Sequence, residues 1–186
     1  LKVLLVDNFD SFTFNLFHLL ESVGANVKVV RNDSFNNNDL DWCDKIILSP
    51  GPGIPSEAIG MNKLIALMFD KKPILGVCLG MQALAEFFGD SIYNLLDVYH
   101  GVQKEITVLN NNDLFCDLSD IQIVGLYHSW AVKLNEKSNF KSIAKSKESI
   151  LMAFKHNEFP IYGIQFHPES ILTQNGKAIL NNFLKL

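Results

Sequence analysis

The chain has 186 residues, 48% of them apolar, and a formal charge of −4, which suits one substantial core and is short for two domains. That charge offers no broad basic surface for phosphate backbones, so nucleic acid is not an expected partner. No apolar run approaches the roughly 18 residues of a membrane span, no charged and apolar leader precedes the first strand, and the three cysteines lack the spacing of a disulfide framework or a zinc site. The expectation is one domain over residues 1–186, cytoplasmic, with no membrane contact and a thiol free to do chemistry.

In chain order, residues 2–6 form a buried strand. Residues 11–23 carry Phe12, Leu16, Leu19, Leu20 and Val23 at helical spacing, with Gly24 as the stop. Strands follow at 27–30 and 45–48, then a Pro/Gly loop, a helix over 56–69, a strand at 74–77 and a helix to about residue 88. This alternation predicts an α/β fold: an open, mostly parallel sheet with helices on both faces, whose reactive groups gather at the carboxyl ends of strands. Beyond Ile92 the pattern changes to short runs at 103–108, 121–127, 150–154 and 161–166, read as antiparallel additions, before a last helix over 174–184. Residues 36–38 and 110–112, all asparagine, read as loop tips. The lysines between 133 and 147 read as a solvated face.

The chemistry centres on Gly76-Val77-Cys78-Leu79-Gly80, which has the form of a thiol nucleophile elbow. A glycine on each side would let the chain turn sharply between strand and helix and lift one side chain out of the sheet. A free thiol is a poor nucleophile at neutral pH, and a helix amino terminus with a nearby imidazolium is the environment that activates it. His167 and Glu169, in Gln165-Phe166-His167-Pro168-Glu169-Ser170, supply an imidazole and a carboxylate two residues apart, able to point to one side of an extended segment. The loop Ser49-Pro50-Gly51-Pro52-Gly53 is stiff yet open to close backbone approach, and it lacks the lysine of a phosphate-binding loop. Its N–H groups and that of Leu79 are candidate oxyanion donors. Asp7 and Asp10 read as helix-capping groups rather than a metal pair. His18 reads as packing or surface, His156 as solvated in a polar turn, His128 as a structural hydrogen-bonding group, and Cys43 and Cys116 as inert thiols.

Taken with Asp7-Asn8-Phe9-Asp10-Ser11-Phe12-Thr13 and Tyr127-His128-Ser129, these motifs resemble class I glutamine amidotransferases, whose fold is flavodoxin-like. The similarity is greatest to component II of anthranilate synthase and to the amidotransferase of aminodeoxychorismate synthase, and it runs from about residue 2 to the end. The resemblance implies glutamine hydrolysis through a γ-glutamyl thioester on Cys78, with His167 as base and Glu169 as third member. It also implies that the ammonia passes to a separate chorismate-converting synthase chain, and that no metal or organic cofactor is needed. Carried over by position, Gly51, Pro52, Gly53, Leu79, Gln82, Ser129 and Trp130 would contact the substrate, with Gly51 and Leu79 giving the oxyanion N–H groups. Trp130, where many relatives carry leucine, and Val102, where many carry lysine, depart from the family pattern. The alternatives are a folate-pathway or shared amidotransferase and, more distantly, a stand-alone γ-glutamyl cysteine hydrolase.

Overall fold

A computed structural model describes residues 1–110 and 113–186, and of Ile59 only the backbone; Asn111 and Asn112, in the second expected loop tip, lie outside the described residues. The first half alternates strands and helices: β1 (Lys2–Asp7), α1 (Thr13–Ser22), β2 (Asn26–Arg31), α2 (Asn37–Trp42), β3 (Lys45–Leu48), α3 (Ile59–Met68), β4 (Ile74–Val77) and α4 (Leu79–Phe87). The second half holds β5 (Ser91–Asn94), β6 (Val102–Val108), β7 (Ile121–Leu126), β8 (Trp130–Lys133), β9 (Phe140–Ser146), β10 (Leu151–His156), β11 (Ile161–Ile164) and α5 (Gly176–Lys185). Nine strands make one sheet in the order β2-β1-β3-β4-β11-β10-β9-β6-β7, and β5 pairs with β8 in a separate ribbon. Pairing is parallel from β2 to β11 and antiparallel from β11 to β7. This is the expected α/β architecture with its antiparallel extension.

The inner parallel strands β1, β3, β4 and β11 are buried on both faces because helices cover both, whereas the edge strand β2 carries Asn26, Lys28 and Arg31. Along β1, Val3 and Leu5 pack into one core with Leu16 and Leu20 of α1 and Ile179, Leu180 and Phe183 of α5. Leu4 and Val6 point the other way, into a core with Met61, Leu64 and Ile65 of α3 and Met81 and Leu84 of α4. Each such side chain stabilises the fold by about 1.5–3 kcal/mol when fully buried.

Several local expectations need correction. Residues 36–38 are no loop tip: Asn36 accepts hydrogen bonds from the N–H groups of Asn38 and Asp39 while Asp39 accepts from that of Asn36, a capping box that starts α2. The helix expected over 56–69 is divided, a single 3-10 turn at Pro55–Glu57 preceding α3. Strands β5, β8 and β9 fall where no strand was expected. The lysine-rich stretch includes β9, which lies between β10 and β6 and buries Phe140, Ile143 and Ala144. Irregular register against β10 breaks the two-residue alternation that would have announced it. The amino terminus of α1 falls at Phe12, with no side-chain cap. Asp7 and Asp10 instead bind the N–H groups of Phe9, Asp10 and Phe12 in the turn before it. His156 is buried, not solvated; its Nδ1 accepts the N–H groups of Glu158 and Phe159, and its ring lies 4.7 Å from that of Phe88.

Candidate active site

Cys78 sits between the end of β4 and the first residue of α4, with φ 52° and ψ −104°. This backbone region is rare for a residue with a side chain, and holding it costs on the order of 1–3 kcal/mol. The flanking glycines do not supply the turn, since neither is among the glycines of positive φ; Cys78 itself bears the strain. A Cβ on Gly76 would lie 2.5 Å from the backbone of Gly80, and one on Gly80 would lie 2.5 Å from the carbonyl of Leu48. The two glycines let α4 press directly onto β4 and β3, which aims the amino terminus of the helix at the sulfur's surroundings.

His167 lies beyond the end of β11, the strand beside β4, so the topology brings two motifs 89 residues apart to neighbouring strand ends. Its Nδ1 is 2.7 Å from Glu169 Oε1, and the two side chains are 4% and 0% exposed. The carboxylate fixes the ring, which also packs against Tyr127 and Phe12 at centroid distances of 4.9 and 5.8 Å. Burial alone would lower the imidazole pKa, but hydrogen bonding to Cys78 and Glu169 and their negative charge outweigh it and raise the value to about 10. Nε2 is buried and lacks a well-directed hydrogen bond; with Nδ1 committed to Glu169, it is the nitrogen available for proton exchange with the thiol.

All seven residues expected around the substrate converge on one cavity. Gly51, Pro52, Gly53, Leu79, Gln82, Ser129 and Trp130 line a space of about 170 Å³ that reaches Cys78, together with Tyr127 and His128. Gly51 is held so close that an added Cβ would lie 2.6 Å from the Leu79 side chain, so the glycine loop and the start of α4 form adjoining walls. A second opening of about 300 Å³ reaches Cys78 and His167 past Phe9, Phe12 and His100. Trp130 contributes through its backbone: its carbonyl accepts from Gln82 Nε2 at 3.1 Å and pairs with His128 Nδ1 at 2.7 Å.

His128 plays the structural part expected of it. Burial holds its pKa down to about 4, against the opposing pull of the Trp130 carbonyl and with the added repulsion of charged His167. The ring is therefore neutral at pH 7, donating from Nδ1 to that carbonyl. Gln165, to which the sequence assigned no role, belongs to the site as well. It is fully buried, its Nε2 lies 3.5 Å from Cys78 Sγ, and its Oε1 accepts from Gln82 Nε2 at 3.3 Å. Its place two residues before His167 was the cue, although the extended segment expected there is not formed: β11 ends at Ile164, and residues 165–170 are bends and a turn closed by the N–H of Ser170 on the carbonyl of His167. Cys43 is buried and Cys116 exposed, both outside this site. His18 is exposed beside Phe17. Among the described residues no cluster of three or more histidine, cysteine or acidic side chains could hold a metal, and no helix is long and apolar enough to cross a membrane.

A strained cysteine at a helix start, a histidine held by a buried carboxylate and a cavity walled by a glycine loop agree with sequence similarity over nearly the whole chain. The family profile for class-I glutamine amidotransferases matches residues 4–186, and the chain belongs to that family. It is 39% identical over 187 residues to a candidate anthranilate synthase component II of Haemophilus influenzae, covering all of this chain and 97% of that protein. To aminodeoxychorismate synthase component 2 of Escherichia coli it is 40% identical over 185 residues, 98% of each chain. Among solved structures, a candidate GMP synthase subunit protein of Thermoplasma acidophilum superposes with a TM-score of 0.89 at 31% identity, over all of this chain and 92% of the other.

Proposed function

We propose that residues 1–186 form a single glutaminase domain that releases ammonia from glutamine and delivers it to a separate chorismate-converting synthase chain, as in anthranilate synthase. The observation that carries this reading is the meeting at Cys78 of two openings, one lined by all seven residues expected to contact the substrate and the other lined by His167, whose ring Glu169 holds. With the thiol proton taken by His167 Nε2, Cys78 Sγ attacks the side-chain amide carbon of glutamine, forming a C–S bond as the carbonyl π electrons move to oxygen and leave negative charge there. The N–H of Leu79 at the start of α4 and that of Gly51 are the donors for this charge. A hydrogen bond of this kind is worth about 2.7–4 kcal/mol in the barrier. His167, held by Glu169, gives its proton to the departing nitrogen, the C–N bond breaks, and ammonia leaves. Water then attacks the thioester with His167 as base, returning glutamate and the thiol. The opening past Phe9 and Phe12 gives Cys78 a second route outward, separate from the substrate cavity.

The relatives' names divide between the anthranilate and aminodeoxychorismate synthases, and the same site serves either, since the acceptor is bound by the partner. Identifying the large partner chain that co-purifies with this one, and its product from chorismate, distinguishes them. Within that complex Cys78→Ser should abolish product formation from glutamine while sparing formation from added ammonium salt. Loss of both activities, or brisk cleavage of γ-glutamyl peptides by the isolated chain, would overturn the proposal.

A further inference from the structure

The side chain of Gln165 is fully buried and ends 3.5 Å from the sulfur of Cys78, although thioester chemistry with a cysteine, a histidine and a carboxylate calls for no amide there. The sheet puts it in place. Ile164 of β11 stands beside Val77 of β4, and the N–H of Cys78 closes on the carbonyl of Ile164 at 2.8 Å. Gln165 follows directly, its own N–H bound to the carbonyl of Met152 in β10. A polar side chain withdrawn from water at this depth needs partners inside the protein.

A chain of hydrogen bonds sets the direction of its amide. The carbonyl of Trp130 can only accept, so it meets the nitrogen end of the Gln82 amide, at 3.1 Å. The same nitrogen has a second N–H, which needs an acceptor and finds Gln165 Oε1 at 3.3 Å. With its oxygen engaged in this way, Gln165 turns its N–H end toward Cys78. Gln82 lies one helical turn past the cysteine, its backbone N–H bound to the Cys78 carbonyl, so the chain of bonds closes on the element that carries the sulfur.

We propose, resting on the glutaminase reading, that Gln165 is a catalytic residue: an N–H of its side-chain amide donates to the Cys78 sulfur when that atom is anionic. A thiolate accepts such a bond better than a neutral thiol or the sulfur of a thioester. The donor therefore acts at both ends of the cycle. It favours loss of the thiol proton to His167 before attack, and it receives the sulfur when the C–S bond of the thioester breaks and its electron pair returns to that atom.

The test is iodoacetamide labelling of the whole chain across a pH series, comparing Gln165→Met with the unsubstituted protein and reading each cysteine separately by mass spectrometry. Losing a charge-assisted hydrogen bond should leave about tenfold less thiolate wherever the thiol predominates, while the freed sulfur becomes about threefold more nucleophilic. Labelling of Cys78 should therefore slow by about threefold on the acid limb of its profile and quicken by about threefold on the alkaline plateau. A merely structural role would not make the two profiles cross. Asp10, His100, Tyr127, His128 and His167, the titratable groups lining the two openings with Cys78, are present in both proteins, so the crossing reads Gln165. Exposed Cys116 is the internal standard, and buried Cys43 reports any opening of the fold. Superimposable Cys78 profiles overturn the proposal. If the variant opens and labels Cys43, the unsubstituted ¹⁵N-labelled chain decides. There the side-chain amide of Gln165 should shift over the pH range in which Cys78 labelling accelerates, and a constant signal overturns the proposal. Crossing profiles in a chain that hydrolyses no glutamine would remove the glutaminase reading and the catalytic role with it; glutamine hydrolysis with superimposable profiles would remove the Gln165 donor alone.

Discussion

The Nδ1 of His167 and the Oε1 of Glu169 lie 2.7 Å apart with both side chains almost completely withdrawn from water. In the proposed mechanism such a carboxylate gives orientation and charge stabilisation, while the proton itself passes through Nε2. His167→Ala should therefore lower kcat for glutamine by about 10²–10⁴, the usual weight of a general acid–base group, and Glu169→Gln, which keeps an oxygen acceptor but removes the charge, by less. Steady-state kinetics on folded variants check the order, and an equal loss from both would assign the carboxylate more than orientation.

The two buried histidines near the sulfur should give stability opposite pH dependences. His167 has its pKa raised in the folded chain to about 10, so its contribution is complete below the unfolded value of about 6.5 and is lost as pH rises through the folded one. His128, lowered to about 4, contributes above the unfolded value and loses that contribution as pH falls. Urea unfolding across this range should show the alkaline decline reduced in His167→Gln and the acid decline reduced in His128→Gln. Identical profiles in all three proteins would remove the assignment.

Strain at Cys78 predicts a trade between stability and activity. With φ 52° and ψ −104°, a glycine there should relax what an alanine cannot. Inactive Cys78→Gly should exceed equally inactive Cys78→Ala in unfolding free energy by about 1–2 kcal/mol. Denaturant midpoints of the two variants measure this, and a more stable alanine variant would mean that the backbone is not strained.

Gly76→Ala and Gly80→Ala should each destabilise the fold by about 1–3 kcal/mol or more, because each added methyl meets backbone at 2.5 Å rather than a side chain that can swing away. Gly89→Ala is a useful contrast. No atom lies within 4 Å of its added Cβ, but its φ is 88°, so any cost there is backbone strain alone. Comparison of urea midpoints separates overpacking from strain.

What could be read in the chain followed from strong local periodicity. The strands around Leu4, Ile47 and Leu75 are short apolar runs between turn residues, and their two-sided burial follows from the alternation with helices. The strand at 140–146 was hidden because its register irregularities mix lysines with buried residues, and α2 because six residues give too little period to see. His156 looked solvated because a polar local sequence, Asn157-Glu158, conceals a ring enclosed by Phe88, Phe140 and Phe159.

The sequence by itself determined the alternating architecture, the candidate nucleophile and its partners, and the family, because these depend on residue types at short, fixed spacings. Only the tertiary structure decided that the glycines beside Cys78 serve packing while the cysteine carries the strain, that Gln165 reaches the sulfur, and that an apparently solvated, lysine-rich stretch supplies β9, a strand inside the main sheet. Those relations arise from segments far apart in the chain, and distance in space becomes legible only once the sheet order has been set.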